Sequence, residues 1–353
     1  MTDLEWNIED DFASVAAQGA PFINKLQNSH IFLTGGTGLL GTWLLEVIAF
    51  VNQVKNCDIQ VTVLTRNPDS FNSKSPHLFA NKRFHFLVGD VTNLHPIENI
   101  LGDQQFTHLI HAATDASAEL NEINPLQMFD TVVLGTRQVL DFAVKHQITN
   151  VLYLSSGAVY GQQPHGVDYV SEQSLSGPDC LNPKNTYAEG KRASEMLCAI
   201  YGKQFGRRIV IARIFALLGP LLNLDIHFAA GNFIRDALAG KKITVSSDGR
   251  PERSYLYLSD VIVWLLAILT TGRAGAAYNV GSQEAISIAD LAKLTSTLLG
   301  NSGYEVLGLQ DSGWNPGRYV PSTRLIQDEL GVKQTVSLAE AISRTAHWKD
   351  RRK

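Results

Sequence analysis

The stretch HIFLTGGTGLLGTWLLE, residues 30–46, constrains the fold more than any other part of the chain. An apolar run of strand length leads into a turn with Gly35, Gly38 and Gly41 spaced three apart, and a helical pattern follows. Glycines at this spacing serve where a backbone turns sharply, where a pyrophosphate approaches and where a helix packs closely on a strand. Free N–H groups at the start of such a helix attract phosphate. A tight turn without a ligand is the alternative. The predicted dinucleotide contacts are Gly35, Thr37, Gly38, Leu39, Leu40 and Gly41.

Short apolar runs alternate with helical patterns as far as Gly219. The runs cover residues 30–33, 60–64, 84–88, 108–110, 151–154 and 209–212, and helical periods cover 39–51 and 125–145. Strand and helix in this alternation predict an α/β fold, namely a Rossmann-type doubly wound parallel sheet. Beyond Gly219 the alternation loosens. Helices near 232–239, 288–299 and 338–348 and a β stretch at 242–245 predict a smaller α/β C-terminal substrate-binding lobe.

The same patterns predict how the chain is divided. Residues 1–29 form an acidic, amphipathic N-terminal extension to which the sequence assigns no role. Residues 30–217 form the dinucleotide-binding Rossmann domain, which the chain rejoins at 255–275. Residues 218–353 belong mainly to the substrate-binding lobe.

Composition excludes several classes of protein. A net charge of −4 and an isoelectric point near 6.2 give no reason to expect nucleic acid or an anionic membrane as a partner. The apolar run 261–269 is too short to span a bilayer, and the N-terminus is acidic where a signal peptide is basic. We therefore expect a cytoplasmic protein. Cys57, Cys180 and Cys198 lie far apart, which predicts reduced thiols and no metal site.

The end of the second predicted strand bears on the choice of cofactor. An acidic residue that binds the adenosine ribose is expected there, but the chain has Thr65 and Arg66. Since an arginine pairs with a 2′-phosphate, Arg66 favours NADP over NAD; a solvated turn residue is the alternative. Asp90, followed by Val91, comes after the third strand and is a candidate acceptor for the adenine amino group. A turn-capping aspartate is the alternative reading of Asp90.

Two serines end a predicted strand in NVLYLSSGAVYG, where the carboxyl ends of parallel strands face the ligand crevice. Ser155 and Ser156 therefore lie in position to reach a ligand. Thirty residues further on, TYAEGKRASE places Tyr187 and Lys191 one helical turn apart on the same face. Alone, that spacing is also common in surface pairs without a role.

These motifs together resemble the extended short-chain dehydrogenase/reductases, the NAD(P)-dependent nucleotide-sugar epimerase/dehydratase family. The glycine turn, the HAAT run at 111–114, SSGAVYG and the Tyr187-x-x-x-Lys191 pair follow the order and spacing of that family. The resemblance extends through RIFALLGP, GNFIRDALAGKKITV and the loop of Arg253. It implies a bound NAD or NADP, with further cofactor contacts at Ala112, Ala113, Thr114 and Lys191.

The resemblance also implies a chemistry, oxidation of the sugar C4 hydroxyl with Tyr187 as base. A tyrosine pKa of ~10 must fall by roughly 3 units, or about 4 kcal/mol, for work at neutral pH. An ammonium ~5 Å away supplies about 3 kcal/mol at an effective dielectric of ~20. We therefore expect Lys191 to lower the pKa of Tyr187. Ser156 would hydrogen-bond the same sugar oxygen, and Ser155 would be structural.

The residues after Ser156 discriminate among sugar reactions. Dehydratases of the family have Thr-Asp-Glu here and decarboxylases have a Glu at the third position, whereas this chain has Ser156-Gly157-Ala158. The sequence therefore favours a 4-epimerase or a 4-keto-sugar reductase, which needs no further acid. A UDP-glucuronate decarboxylase-like enzyme, similar in TYAEGKRASE and GNFIRDAL, and an NDP-sugar 4,6-dehydratase are the alternatives. A non-catalytic NAD(P)-binding regulatory protein is the alternative of another class.

Family positions that contact the substrate are also present. Asn232 and Arg253 match residues that bind the diphosphate, and His227 and Arg318 are further candidates for the nucleotide or sugar. Two positions depart from the family pattern: Ala216 stands where an Asn often follows Arg-x-Phe, and Val132 replaces an Asn usual in its helix.

The resemblance implies a homodimer joined through the helices that begin near 125 and 186. Apolar side chains on these helices, Met128, Val132, Met196 and Ile200, fit either the dimer contact or the core.

Overall fold

The computed structural model describes residues 6–114, 118–225, 229–300, 303–309 and 316–351. Its main sheet has seven parallel strands in the order β11-β6-β5-β4-β1-β2-β3. They are β1 (His30–Thr34), β2 (Gln60–Thr65), β3 (Phe84–Val88), β4 (His108–His111), β5 (Asn150–Ser156), β6 (Arg208–Ile214) and β11 (Ala277–Val280). The order of its first six strands is that of a Rossmann sheet, which confirms the predicted fold class.

Helices cover both faces of this sheet and build the C-terminal half. They are α1 (Ile8–Gln18), α2 (Ala20–Ile23), α3 (Leu39–Lys55), α4 (Pro68–Lys74), α5 (Pro76–Phe79), α6 (His95–Leu101), α7 (Ala118–Ile123), α8 (Pro125–Lys145), α9 (Thr186–Phe205), α10 (Ala229–Leu238), α11 (Leu258–Thr271), α12 (Ile288–Leu299), α13 (Arg324–Leu330) and α14 (Leu338–Asp350). Short 3₁₀ turns lie at Asn24–Leu26, Gly157–Tyr160 and Pro183–Asn185.

The alternating directions of the side chains along β1 show why helices cover both faces of the sheet. Ile31 and Leu33 point into one apolar core, which α1, α3 and α11 close, whereas Phe32 points into the other, which α8 and α9 close. Successive side chains of a strand face opposite sides, so a strand that is apolar at every position is buried on both faces.

The C-terminal half adds small sheets around a third apolar core. Their strands are β7 (Leu217–Leu218), β8 (Ile243–Val245), β9 (Glu252–Arg253), β10 (Leu256–Tyr257), β12 (Ile286–Ser287), β13 (Tyr304–Val306) and β14 (Arg318–Tyr319). β9 pairs with β12 and β14, β10 pairs with β7, and β13 pairs with β8. Between them the chain returns to the main sheet through α11 and then β11. The exact domain boundaries stay a prediction.

The described part of the N-terminal extension, residues 6–29, packs against helices that cover the main sheet. α1 begins at an N-cap, Asn7, in a capping box with Asp10, and packs its apolar face against α3 and α11. Lys55, at the end of α3, donates to the carbonyl oxygen of Ala16 at 2.5 Å.

Helices α8 and α9 pack against each other, and the four apolar residues considered for a dimer contact separate into two pairs. Met128 and Val132 are buried in the core of the chain, whereas Met196 and Ile200 are 63% and 44% exposed. Only the second pair is on the surface, and the homodimer stays a prediction.

Candidate active site

The glycine turn joins β1 to α3, and its glycines differ in whether the packing of the chain requires them. Gly35 has φ +72°, and a Cβ there would lie 2.5 Å from the carbonyl carbon of Ala112. A Cβ on Gly41 would lie 2.3 Å from the carbonyl oxygen of Gly35. These two glycines are therefore required by the chain's own packing. At Gly38 a Cβ would meet only the Gly35 oxygen, at 3.4 Å, so the fold itself does not require this glycine.

This difference gives a paired prediction. Gly38→Ala should keep the free energy of unfolding within about 1 kcal/mol, because its backbone is extended and its Cβ has room. It should weaken NAD binding by about tenfold, because the methyl group occupies the space into which a pyrophosphate would come. Gly35→Ala should instead lose about 2–5 kcal/mol of stability through strain and overpacking. Urea denaturation and NAD titration of both variants measure this, and unchanged NAD binding by Gly38→Ala would contradict it.

The surroundings of the turn fit a dinucleotide. Helix α3 starts at Gly38 with no side-chain cap, so its first N–H groups are available to a phosphate. The loop after β4 is held by Thr34, whose hydroxyl accepts from the Ala113 N–H at 3.2 Å. Next to it, the Thr114 hydroxyl is buried without a hydrogen-bond partner among the described residues. A buried polar atom of this kind is expected where a ligand supplies the partner.

The predicted ribose and adenine contacts occupy the neighbouring strand ends. Thr65 is buried at the end of β2, 3.4 Å from the Thr37 hydroxyl, and Arg66 is exposed beside it. Asp90 accepts from both the backbone and the hydroxyl of Thr92, as a turn-capping residue does. Val91 packs its side chain against Gly135 in the core, which leaves only its backbone for a ligand.

Ser156 and Tyr187 come together at the end of β5. The Ser156 hydroxyl accepts from the Ala158 N–H at 3.1 Å and faces the phenol of Tyr187. Asn121 of α7 accepts from the Tyr187 N–H at 3.0 Å and so fixes the first turn of α9. Ser155 points elsewhere and donates to Glu195 at 2.6 Å.

Lys191 lies one turn along α9 and is fully buried, with 2% of its surface exposed. Its Nζ donates to the carbonyl oxygen of Leu154 at 2.7 Å and lies 4.8 Å from the centre of the Tyr153 ring and 5.9 Å from that of Tyr187. Burial lowers the pKa of Lys191 to about 7, while the Glu195 carboxylate acts in the opposite direction. In this environment the ammonium gives up its proton near neutral pH.

The expectation of a lowered pKa for Tyr187 is wrong in this structure. Burial raises the pKa of Tyr187 above its ordinary value, and the hydrogen-bonding interaction with Ser156 only partly offsets this. The sequence argument compared two charges at a fixed distance. It left out the cost of desolvating both groups, and burial has the largest effect on the pKa of each.

His111 of the HAAT run lies directly beneath this site and is held as a neutral imidazole. Its Nδ1 lies 2.7 Å from the Thr34 hydroxyl and its Nε2 lies 3.1 Å from the Thr136 hydroxyl. Because Thr136 donates its own proton to the Val132 carbonyl at 2.6 Å, it accepts from Nε2–H. Complete burial lowers the pKa of His111 to about 3, so this histidine is no source of protons near pH 7.

A buried ion pair supports the end of β5 from behind. Arg213 of β6 donates to the carboxylate of Glu195 at 2.7 and 3.0 Å. The same guanidinium donates to the Tyr160 hydroxyl at 2.7 Å, and that hydroxyl donates to Asn279. Since Glu195 also holds Ser155, the pair fixes the backbone that carries Ser156.

Tyr319 is a site residue that sequence reasoning missed. A Cβ on Gly157 would lie 2.5 Å from the Tyr319 hydroxyl, and the hydrogen-bonding interaction of Ser156 with that phenol lowers its pKa against the larger effect of burial. Its ring packs on that of Phe215, with the ring centres 4.6 Å apart and the planes tilted by 33°. The residue lies more than 160 positions after Ser156, in a two-residue strand without a motif, so the sequence offered no local signal.

Among the predicted substrate residues that the structure describes, Arg253 is the one that lies beside Tyr319. It is the partner of Tyr319 in the β9–β14 pairing, and its charge lowers the pKa of that tyrosine. Asn232 lies on α10, where its Oδ1 accepts from Arg235 at 3.2 Å. Arg318 donates to the Asp168 carbonyl oxygen at 2.7 Å and to Glu252, which holds its guanidinium in a structural network. His227 lies outside the described residues.

The described ranges also bear on metal binding and on membrane insertion. No cluster of three or more His, Cys, Asp or Glu side chains there is placed to hold a metal ion. None of the helices that the structure describes combines the length and the apolar character that crossing a membrane requires.

Comparisons with known proteins agree with this geometry. Residues 31–281 match the NAD dependent epimerase/dehydratase family. The chain is 28% identical to UDP-glucuronic acid decarboxylase 1 of Xenopus tropicalis, over 93% of this chain and 73% of that one. It is 25% identical to dTDP-glucose 4,6-dehydratase of Streptomyces griseus, over 91% and 94%. The solved structure of UDP-glucuronic acid 4-epimerase from Bacillus cereus, in complex with UDP-glucuronic acid and NAD, is 25% identical, with a TM-score of 0.76 over 92% of this chain and 100% of that one.

The family match covers more than half of the chain and includes the glycine turn, both serines, Tyr187 and Lys191. The chain is therefore an enzyme of the NAD dependent epimerase/dehydratase family.

Proposed function

We propose that this enzyme modifies a nucleotide-diphospho-sugar by hydride transfer at the sugar C4, either as a 4-epimerase through transient oxidation or as a 4-keto-sugar reductase. The observation that carries the proposal is the grouping of Ser156, Tyr187 and buried Lys191 at the carboxyl edge of the sheet. That edge also bears the dinucleotide turn, so a sugar hydroxyl at Tyr187 would lie next to a nicotinamide.

The chain's own residues supply the proton chemistry. Tyr187 would accept the proton of the C4 hydroxyl as the phenolate, and the Ser156 hydroxyl would orient the same sugar oxygen. The Lys191 ammonium, with its Nζ 5.9 Å from the centre of the Tyr187 ring, would stabilise that phenolate through its charge. A bound nicotinamide nucleotide would supply the acceptor for the hydride from C4, held by the Gly38 turn, Thr114 and Lys191. Its positive ring would add a second positive charge near the Tyr187 phenolate.

Ala158 favours epimerisation or ketone reduction over the other reactions of the family. It stands two residues after Ser156, and a methyl group there offers no acid or base for removing water or carbon dioxide. The second candidate function is a UDP-glucuronic acid decarboxylase activity. It is supported by the 28% identity to the named Xenopus enzyme. We weigh the missing carboxylate more heavily, because a catalytic step cannot proceed without its proton carrier.

The residues at the ribose end support NADP as the preferred nucleotide within this NAD dependent family. Arg66 is exposed at the end of β2, where its guanidinium can meet a 2′-phosphate, and Thr65 puts no carboxylate in the way of that phosphate.

The experiment that tests this function incubates the protein with a panel of UDP-, dTDP-, CDP- and GDP-sugars and either NAD or NADP. The 4-keto sugars of the panel are incubated with NADH or NADPH, which supplies the hydride for their reduction. We expect a new epimer or a reduced 4-keto sugar by NMR, with tighter binding of NADP than of NAD. Release of carbon dioxide from UDP-glucuronate would instead establish the decarboxylase. No product and no change in nicotinamide absorbance with any sugar would refute the proposal and favour a nucleotide-binding regulatory protein.

A further inference from the structure

We propose that the N-terminal helix α1 positions the substrate-binding side of the site, with Asp11 as the positioning residue. The inference rests on the proposed function, because it concerns the affinity for the nucleoside diphosphate part of the substrate. It assigns a role to the described part of the N-terminal extension, residues 6–29, to which the sequence assigned none.

Asp11 is the centre of the contact. Only 1% of its surface is exposed, although it lies in the first turn of α1. Its Oδ2 accepts from the Tyr257 hydroxyl at 2.5 Å, and its Oδ1 accepts from Arg344 at 2.8 Å and from Trp6 at 3.2 Å. One carboxylate thus joins three segments that are distant in sequence, and charge-assisted hydrogen bonds of this kind are the strong ones.

Tyr257 connects Asp11 to the short segment that begins at Arg253. It ends β10, where it is the partner of Leu218 in β7, and it is fully buried. Arg253 lies four residues earlier, and the intervening Ser254 and Tyr255 are buried too. A short buried segment has little freedom to adjust, so a shift of the Tyr257 ring is transmitted to the backbone of Arg253.

Arg344 connects Asp11 to the other predicted diphosphate residue. It lies on α14 with its guanidinium 5.5 Å from the centre of the Tyr257 ring. α14 packs on α10 in the third core, where Ile342 and Ile234 are both fully buried. Asn232 lies on α10. Asp11 therefore braces both elements that carry the proposed diphosphate contacts.

The other side of α1 is anchored to the dinucleotide half. Phe12 packs edge-on against Trp43 of α3 with ring centres 5.5 Å apart, and Trp43 donates to the Pro220 carbonyl oxygen at 2.9 Å. Since α3 is the helix that follows the glycine turn, α1 fixes the distance between the two halves of the site. The glycine turn itself makes none of the Asp11 contacts, so nucleotide cofactor binding should be insensitive to them.

The test is Asp11→Asn in the full chain, with Tyr257→Phe as a second variant that removes only the hydroxyl. UDP, dTDP, CDP and GDP are titrated by calorimetry, and NADPH and NADH by fluorescence. We expect both variants to bind the tightest nucleoside diphosphate about tenfold more weakly while their affinity for the reduced nicotinamide nucleotide stays within about twofold.

Asn52→Ala is the matched control. Asn52 is buried and makes two hydrogen bonds to Ile59, so its removal costs stability at the far end of α3 without touching Asp11. It should leave both affinities unchanged. Unaltered nucleoside diphosphate binding by a folded Asp11→Asn would overturn this inference but not the proposed function. If Asp11→Asn does not fold, unaltered binding by Tyr257→Phe would do the same. An equal loss of nucleoside diphosphate affinity in Asn52→Ala would also overturn the inference. A wild-type protein that binds no nucleoside diphosphate would instead refute the proposed function, and the inference with it.

Discussion

Replacing Tyr187 by Phe is expected to lower the rate of sugar oxidation by about 10²- to 10⁴-fold, the usual contribution of a positioned base. The ring and its packing remain, but no atom is left to accept the C4 proton. Binding of the nicotinamide nucleotide should stay close to that of the wild-type enzyme, because the glycine turn and Thr114 are unchanged. Formation of reduced nicotinamide in a single turnover, with the sugar that the panel identifies, measures the effect.

Tyr153→Phe is the control for this variant. It makes the same chemical change in a neighbouring buried tyrosine, whose hydroxyl interacts with Ser194 and Thr136 and not with Ser156. Because neither of these two partners takes part in the proposed proton transfer, Tyr153→Phe should keep its activity. Retained oxidation by Tyr187→Phe, or equal losses in the two variants, would contradict the assigned role.

Lys191→Met is expected to inactivate the enzyme and to stabilise its fold. Without the ammonium the phenolate loses its counter-charge, and oxidation should fall at least about 100-fold. In the absence of nucleotide, however, the wild-type chain buries a lysine whose pKa is lowered to about 7 from 10.5. Such a difference corresponds to about 5 kcal/mol, from which the lost hydrogen bond to Leu154 subtracts about 1.

The free energy of unfolding of the wild type should depend on pH, because the folded and unfolded chains bind different numbers of protons at Lys191. Below pH 7 both the folded and the unfolded wild type carry the proton, so the full penalty of burying the charge applies. Between pH 7 and 10.5 the unfolded chain binds more protons than the folded one, and wild-type stability rises with pH. Lys191→Met should therefore exceed the wild type by about 2–4 kcal/mol at pH 6, and the gap should close towards pH 10.

Urea denaturation of the nucleotide-free proteins at both pH values measures this gap. Lys145→Met is the control, because that lysine is exposed at the end of α8, where it pairs with Glu98. The difference in unfolding free energy between Lys145→Met and the wild type should not change with pH in this way. A Lys191→Met variant less stable than the wild type at pH 6 would show that the lysine is not buried as a charge.

The sequence determined the elements whose signal is local. The alternation of apolar runs and helical periods predicted the strands from β1 to β6 and helices such as Pro125–Lys145 and Ile288–Leu299, because burial on both faces leaves a continuous apolar run in each strand. The glycine turn was predictable for the same reason. Gly35 and Gly41 are required by atoms only a few residues away or by the adjacent strand.

Only the tertiary structure decided the contacts between distant segments. Tyr319 reaches Ser156, Arg253 lies beside Tyr319, and Asp11 bonds to Tyr257, across separations that no spacing rule connects. It also decided the ionisation of the catalytic pair. The sequence places Tyr187 and Lys191 one turn apart, but their pKa values depend on how much water the surrounding chain removes, and burial is a property of the whole fold.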